Sequence, residues 1–345
     1  MTVGDRIRHV LEYYGWTQKD LGLHLGVTQP RVNQMLGAIS LDPSRLDELA
    51  AATGFSPDFF SRGPLPDLPE GSLRFRKKAR ATQRDDDRVR AVVRHTIEAV
   101  QLASTVASPP PVRIQSLHDD IPLNEIETVA ESAREWLGVG RMDPIANIVR
   151  AVERAGVVVV YANAEVTSTD RLDHDGAAFW PDPPVGVPVI YATRGRTGDR
   201  TRLTVAHELG HLVLHQYRHP PSVQAAEEEA FRFGSSLIVP ADAIHSLRTP
   251  ITLKVLVEAK ARWGMSVQAL VKRCYDLNVI DKDRQTSLYK QIASRGWRTA
   301  EPVEVPVEEP ALMRRLMEAA YGSSDPMRVG KKLGIPAIPT RDLVA

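Results

Sequence analysis

Apolar positions recur at helical spacing along most of the chain, and β-branched runs are confined to a stretch near its middle. Val89, Val92, Val93, Ile97 and Val100 predict an amphipathic helix over 86–104. The same period predicts helices at 123–137 and 143–155, the second capped by Asp143 with Pro144 in its first turn. Gly156 ends that helix, and the unbroken run Val157–Tyr161 has the pattern of a buried strand. Two further strands fit Ala177–Trp180 and Val187–Tyr191, on either side of a proline-rich turn. Helices follow at 199–216, 222–239, 253–263, 266–277 and 283–294. Beyond residue 296, Pro302, Pro306 and Pro310 interrupt the chain, and only 311–320 reads as helical. The pattern predicts a mainly α protein with a small β-sheet, of the α+β class.

Near the N-terminus, residues 17–37 read as two short helices about a tight turn. Leu21 and Leu25 form the inner face of the first, Gly26 permits the turn, and Val27 plugs the interface. Thr28 is placed to cap the second, whose Val32 and Leu36 face inward. Gln29, Arg31, Asn33 and Gln34 are thereby left outward, the residue types that hydrogen-bond base edges and phosphates in a major groove. Gln18, at the start of the first helix, is placed for a phosphate. Reuse of the same fold for protein contact or dimerisation is the competing reading. Pro30 is tolerable in the first turn, where its missing amide would have no intrahelical partner.

Length and charge refine this picture. At 345 residues the chain has room for two or three domains. The prolines at 64, 66 and 69 and the triple proline 109–111 suggest four segments. These are a helix-turn-helix domain at 1–60, a proline-flanked basic linker and helix at 61–111, a core at 112–245, and a helical C-terminal region at 246–345. The balance of 44 Lys+Arg against 43 Asp+Glu excludes a protein that coats nucleic acid through bulk charge. That balance is a sum of unlike parts. Residues 1–60 hold five basic side chains against seven acidic ones, a net of −2, whereas 74–94 hold nine against three, a net of +6. The basic segment either adds cation density beside the reading helix or is a solvated linker. A single cysteine, Cys274, excludes an intramolecular disulfide framework, no apolar run reaches the ~18–20 residues of a membrane span, and no signal-peptide core is present. The expected setting is cytoplasmic, with no membrane partner.

The strongest chemical signal is His207-Glu208-Leu209-Gly210-His211 within a helical segment. At about 100° per residue, His207 and His211 fall about 40° apart, opposite the apolar face of Val205, Leu209, Leu212 and Val213. Two imidazoles one turn apart can converge on a single zinc ion, and the adjacent Glu208 is placed to accept a proton from the bound water. The bland alternative is a surface helix with two solvated histidines. A catalytic zinc needs a third protein ligand, and the candidates are His215, His219, Glu227, Glu228, Glu229 and His245. On the following helix Ala226, Ala230, Gly234 and Leu237 form the buried face; Glu227 lies at its edge, while Glu228 and Glu229 point away. A carboxylate on a buried face is costly unless paired or bound to metal, which favours Glu227. His215, a further turn along, is too far for three histidines of one helix to share an ion.

These residues carry a family resemblance. Val189-Ile-Tyr191, the run Arg202–His215 and the run Glu227–Pro240 resemble the ImmA/IrrE metallo-endopeptidases; Leu256–Trp263, Met265–Leu270 and Gly296-Trp297 to Pro302 echo their helical tail. The resemblance spans roughly 120–320. It implies a zincin-like peptidase core with about three strands, one Zn2+ per chain held by His207, His211 and Glu227, and Glu208 as general base. Family members usually have Asn or Asp four residues after the ligand glutamate; this chain has Phe231. Residues 4–60 resemble the Xre/Cro repressor-like DNA-binding domain, which implies a five-helix fold and a double-stranded DNA operator. Together these imply a DNA-binding transcriptional regulator with a zinc-dependent endopeptidase that cleaves a protein, either a neighbouring repressor or itself. Homodimerisation is left open. Two other readings are a transcription factor whose peptidase-like domain only senses a ligand or partner, with Phe231 marking lost catalysis, and a member of a toxin–antitoxin or phage-immunity pair.

Overall fold

The computed structural model describes residues 3–68, 74–77, 83–162, 174–181 and 186–344. Five helices come first: α1 (Val3–Tyr14), α2 (Gln18–Leu25), α3 (Gln29–Leu36), α4 (Pro43–Thr53) and α5 (Pro57–Ser61). Strand β1 (Arg74–Lys77) and the long α6 (Gln83–Ser104) follow, then α7 (Ile126–Trp136) and α8 (Ile148–Arg154). The remaining strands are β2 (Val158–Ala162), β3 (His174–Phe179) and β4 (Val189–Thr193). The chain then stays helical through α9 (Gly198–Leu214), α10 (Val223–Ile238), α11 (Ala241–His245), α12 (Leu253–Trp263), α13 (Val267–Asp276) and α14 (Lys282–Ser294). Three helices close it: α15 (Leu312–Tyr321), α16 (Pro326–Leu333) and α17 (Ala337–Val344). The fold is α+β and mainly helical. Among the described residues, no helix is long and apolar enough to cross a membrane.

Contacts divide the chain into two compact units. One gathers 1–110, 158–194 and 310–345; the other gathers 111–157 and 195–309. These units cut across the four-segment division drawn from the sequence, and the reason lies in the strands. The sheet order is β1-β3-β4-β2, with β2 parallel to β4 (Val158 opposite Val189) and the other pairs antiparallel. Side chains two residues apart share a face of a strand. Val158 and Val160, Ala177 and Phe179, and Val189 and Tyr191 all enter the same core as Ile7, Leu21, Phe55, Val89, Met313 and Val329. The sheet therefore packs with the N-terminal helices rather than standing with a segment 112–245.

Helix α6 is central to the first unit. Its apolar face at Val89, Val93, Ile97 and Val100 is buried as expected, but so are Arg88, His95, Thr96 and Glu98. The buried polar groups are matched locally: Arg6 of α1 pairs with Glu98 at 2.7 Å, and His9 Nε2 lies 3.1 Å from His95 Nδ1. The basic run of 74–94 is partly directed inward too. Arg84 bonds the carbonyl of Gly15, Arg90 that of Leu68 at 3.0 Å, and Arg94 pairs with Glu12 at 2.9 Å. Lys78 and Arg80 lie outside the described residues.

Two local readings are corrected, one in each unit. Asp143 and Pro144 do not open a helix; α8 starts at Ile148, where the Asn147 side chain accepts from Arg150 N at 2.8 Å. The reason is Arg134, fully buried, whose guanidinium bonds the carbonyls of Gly140, Asp143 and Leu237 and holds 140–143 as a turn. The C-terminal correction belongs to the first unit. Residues beyond 320 form α16 and α17 in addition to the expected α15. Asp325 caps α16 with Pro326 in its first position and Gly334 ends it, while Pro339 falls in the first turn of α17, where no amide is needed.

Candidate metal centre

Helix α9 is buried along almost its whole length, including the side that carries His207 and His211. A solvated pair of surface histidines is thus excluded: their exposures are 1% and 4%. The helix runs antiparallel to α10, and two glycines let the backbones approach. A Cβ at Gly234 would lie 2.8 Å from His207 N, and one at Gly210 would lie 3.0 Å from Phe233 Cδ1 and 3.2 Å from Ala230 O. Ser222 caps α10, accepting from Ala225 N at 3.0 Å. Arg273, fully buried on α13, clamps the other end of the assembly. Its two terminal nitrogens each donate at 2.6 Å to Glu127 of α7, which also accepts from Ser236 of α10 at 2.6 Å.

This packing brings His207, His211 and Glu227 together, with one ligand atom from each inside a 4.8 Å spread. His207 Nε2 and His211 Nε2 are 3.1 Å apart, and the Glu227 carboxylate places one oxygen 3.3 Å from each. Burial pushes the Glu227 carboxyl up, but the two imidazoles outweigh it and hold the group well below the ordinary carboxylate range. Three acceptor lone pairs at such distances repel unless a cation, proton or metal, lies among them. Two imidazole nitrogens and a carboxylate oxygen are a donor set that suits a divalent metal. Glu208 follows His207 on α9 and is fully buried. Among the described residues no other group of three such side chains converges; His219, Glu228 and His245 are exposed and stand apart.

Residues 152–275 match the peptidase M78 family model, described as the IrrE N-terminal-like domain. The match covers α9, α10 and all three converging donors, and does not reach the N-terminal helices. A metallopeptidase-like domain of the M78 type is thus present, with a His/Glu cluster able to hold a metal. No curated protein matches the chain.

Two features of the M78 segment were not legible as site residues. Glu229 does not simply point away from α9; its Oε2 lies 3.0 Å from His215 Nε2 and 3.2 Å from Arg218 Nη1. His215 Nδ1 is in turn 2.9 Å from His211 Nδ1. The spacing of His215 one turn beyond His211 was the available signal. Phe231 faces a different neighbour, with Lys272 Nζ 4.9 Å from its ring centroid.

At the N-terminus, α2 and α3 have a geometry compatible with a helix-turn-helix. Leu21, Val32 and Leu36 are buried, and Gly26 turns the chain at φ 65°. Gln29, Arg31, Asn33 and Gln34 are exposed on α3, and Gln18 is half-buried at the start of α2. Arg31 Nη1 donates to Gln34 Oε1 at 2.9 Å. Thr28 stands at the N-cap of α3 but its side chain makes no capping bond, contrary to the expected role. The cap that forms is Thr17, reciprocally bonded with Asp20 at the start of α2.

Proposed function

We propose that the chain is a zinc-dependent endopeptidase coupled to a DNA-reading module. The observation that carries this reading is the convergence of His207, His211 and Glu227 on two tightly packed helices, with Glu208 beside the first ligand. The three side chains would hold the ion, which when bound supplies a Lewis acid for the scissile carbonyl and an acidified water. The chain's own part is proton handling and exclusion of bulk water. Glu208 takes the proton of the attacking water as the C–O bond forms. It returns that proton to the amine nitrogen as the C–N bond breaks. The substrate is a protein, a neighbouring repressor or the chain itself.

The exposed row Gln29, Arg31, Asn33 and Gln34 supports reading of a double-stranded operator by α3, with Gln18 and Thr28 at the backbone. Arg84, Arg90 and Arg94 are engaged by Gly15, Leu68 and Glu12, and cations so engaged favour specific contacts over bulk attraction. One observation favours a second reading, a domain that senses without cleaving: Glu208 is wholly buried, whereas a general base must meet its water.

Metal analysis and proteolysis separate the two. Purified protein should carry about one zinc per chain, falling in His207→Ala. Incubation with neighbouring gene products should yield fragments that disappear in Glu208→Gln. Fragments unchanged in that variant would exclude cleavage at this centre, and zinc without any fragment would favour sensing. Replacing Gln29 and Arg31 with alanine should weaken operator binding and relax its sequence preference in a mobility shift.

A further inference from the structure

The side of His211 facing away from the donor cluster makes contacts that the proposed reaction does not use. His211 Nδ1 lies 2.9 Å from His215 Nδ1, His215 Nε2 lies 3.0 Å from Glu229 Oε2, and the same oxygen lies 3.2 Å from Arg218 Nη1. Arg218 is itself buried and fixed, its Nη1 also donating to Leu214 O and its Nε to Asp120 Oδ1 at 3.1 Å. His215 is buried as well.

The directions of these bonds follow from the far end. The Glu229 carboxylate, matched by the Arg218 guanidinium, only accepts. His215 therefore donates from Nε2 and presents the Nδ1 lone pair to His211. That contact holds one proton, and it must sit on His211 Nδ1. The lone pair of His211 is thereby directed through Nε2, the atom 3.1 Å from His207 Nε2 and 3.3 Å from Glu227 Oε1. We propose that His215 and Glu229, braced by Arg218, are positioning residues that fix the ring and tautomer of His211 for metal binding. Phe231, with no polar group to offer, takes no part, so support reaches the ligand from α9 itself and from Glu229 rather than from position 231. This inference rests on reading His207, His211 and Glu227 as the zinc ligands.

The test uses the full chain and zinc affinity, measured by competition with a chromogenic chelator. His215→Leu should bind zinc about 10–100-fold more weakly than wild type, the usual loss when a ligand's supporting contact is removed. His215→Asn, whose Oδ1 can stand where Nδ1 stood, should recover most of the affinity. In zinc-loaded wild type, where Nε2 of His211 is taken up by the metal, 15N-histidine spectra should show a through-hydrogen-bond coupling between the Nδ1 nuclei of His211 and His215, with the proton on His211. A purely structural role for His215 would move thermal stability without moving the zinc constant. Equal zinc affinity in wild type and His215→Leu would overturn the inference while leaving the centre intact. A wild type that takes up no zinc would remove the centre itself. That coupling decides the matter even where His215→Leu does not fold: its absence from the zinc-loaded wild type would overturn the inference.

Discussion

Gly234 sets the distance between the two helices that carry the donor cluster. Alanine there would gain about 1 kcal/mol in helix propensity. Its Cβ, however, would lie 2.8 Å from the His207 backbone nitrogen, an atom that cannot rotate aside. Overpacking of this kind costs about 1–3 kcal/mol, so the clash should win. Gly234→Ala is expected to lower unfolding stability in denaturant and to weaken zinc uptake; a more stable protein with unchanged uptake would show that the helices have slack. A second residue-scale prediction concerns His9 and His95. Burial is the main cause that drives both below their ordinary value, His95 to about 3, with neighbouring Arg6 also disfavouring a proton. Both are neutral in the fold, so their stability contribution is complete above an unfolded pKa of about 6.5 and declines as pH falls below it. For His95 alone the loss at pH 5 is about 2 kcal/mol. Urea midpoints at pH 7.5 and pH 5 should differ accordingly, and His95→Gln should flatten the difference.

Among the elements, α2 and α3 look alike in sequence, each preceded by a threonine, yet only one threonine caps. Thr17 exchanges bonds with Asp20, and Thr28 makes no side-chain cap. Thr17→Ala should cost about 1 kcal/mol in thermal unfolding, while Thr28→Ala should be nearly neutral for stability. Equal losses would refute the distinction. This is also the scale at which sequence reasoning did best and worst. The pairing of His207 with His211 was legible because both donors sit on one helix, and Glu227 because a lone carboxylate edged an apolar face. Glu229 was misplaced because a helical wheel reports direction about one axis, not which neighbour lies along it. The turn at 140–143 was hidden because its cause, Arg134, acts from another helix. β1 went unseen because its partner β3 is far along the chain.

For the molecule as a whole, the first unit is built from three separated stretches around one core. The C-terminal stretch is tied directly to the N-terminal helices. Ser56 N donates to Gly334 O at 3.0 Å, Arg62 Nη1 donates to Leu333 O at 3.0 Å, and Leu316, Met317 and Val329 are buried in the shared core. A protein truncated after Glu309 should therefore lose protection of α1–α5 in limited proteolysis and melt at lower temperature. An N-terminal region equally resistant with and without 310–345 would show that it stands alone. The sequence hinted otherwise, since prolines at 64–69 and 109–111 look like domain punctuation. Only the triple proline marks a place where the chain leaves that core to return later; Pro64 and Pro66 lie within the first unit, beside the buried Leu65 and Leu68.

The three-stretch core also sets an order of events at the ribosome. Helices α1–α6 are made well before α15–α17, which contribute to the same core. Until α15–α17 have left the exit tunnel, the core that holds Phe55 and Val89 lacks Met313, Leu316 and Val329. Contacts so distant along the chain form slowly. A nascent chain of this protein should thus hold an open N-terminal core during most of its synthesis and be a natural client for holding chaperones.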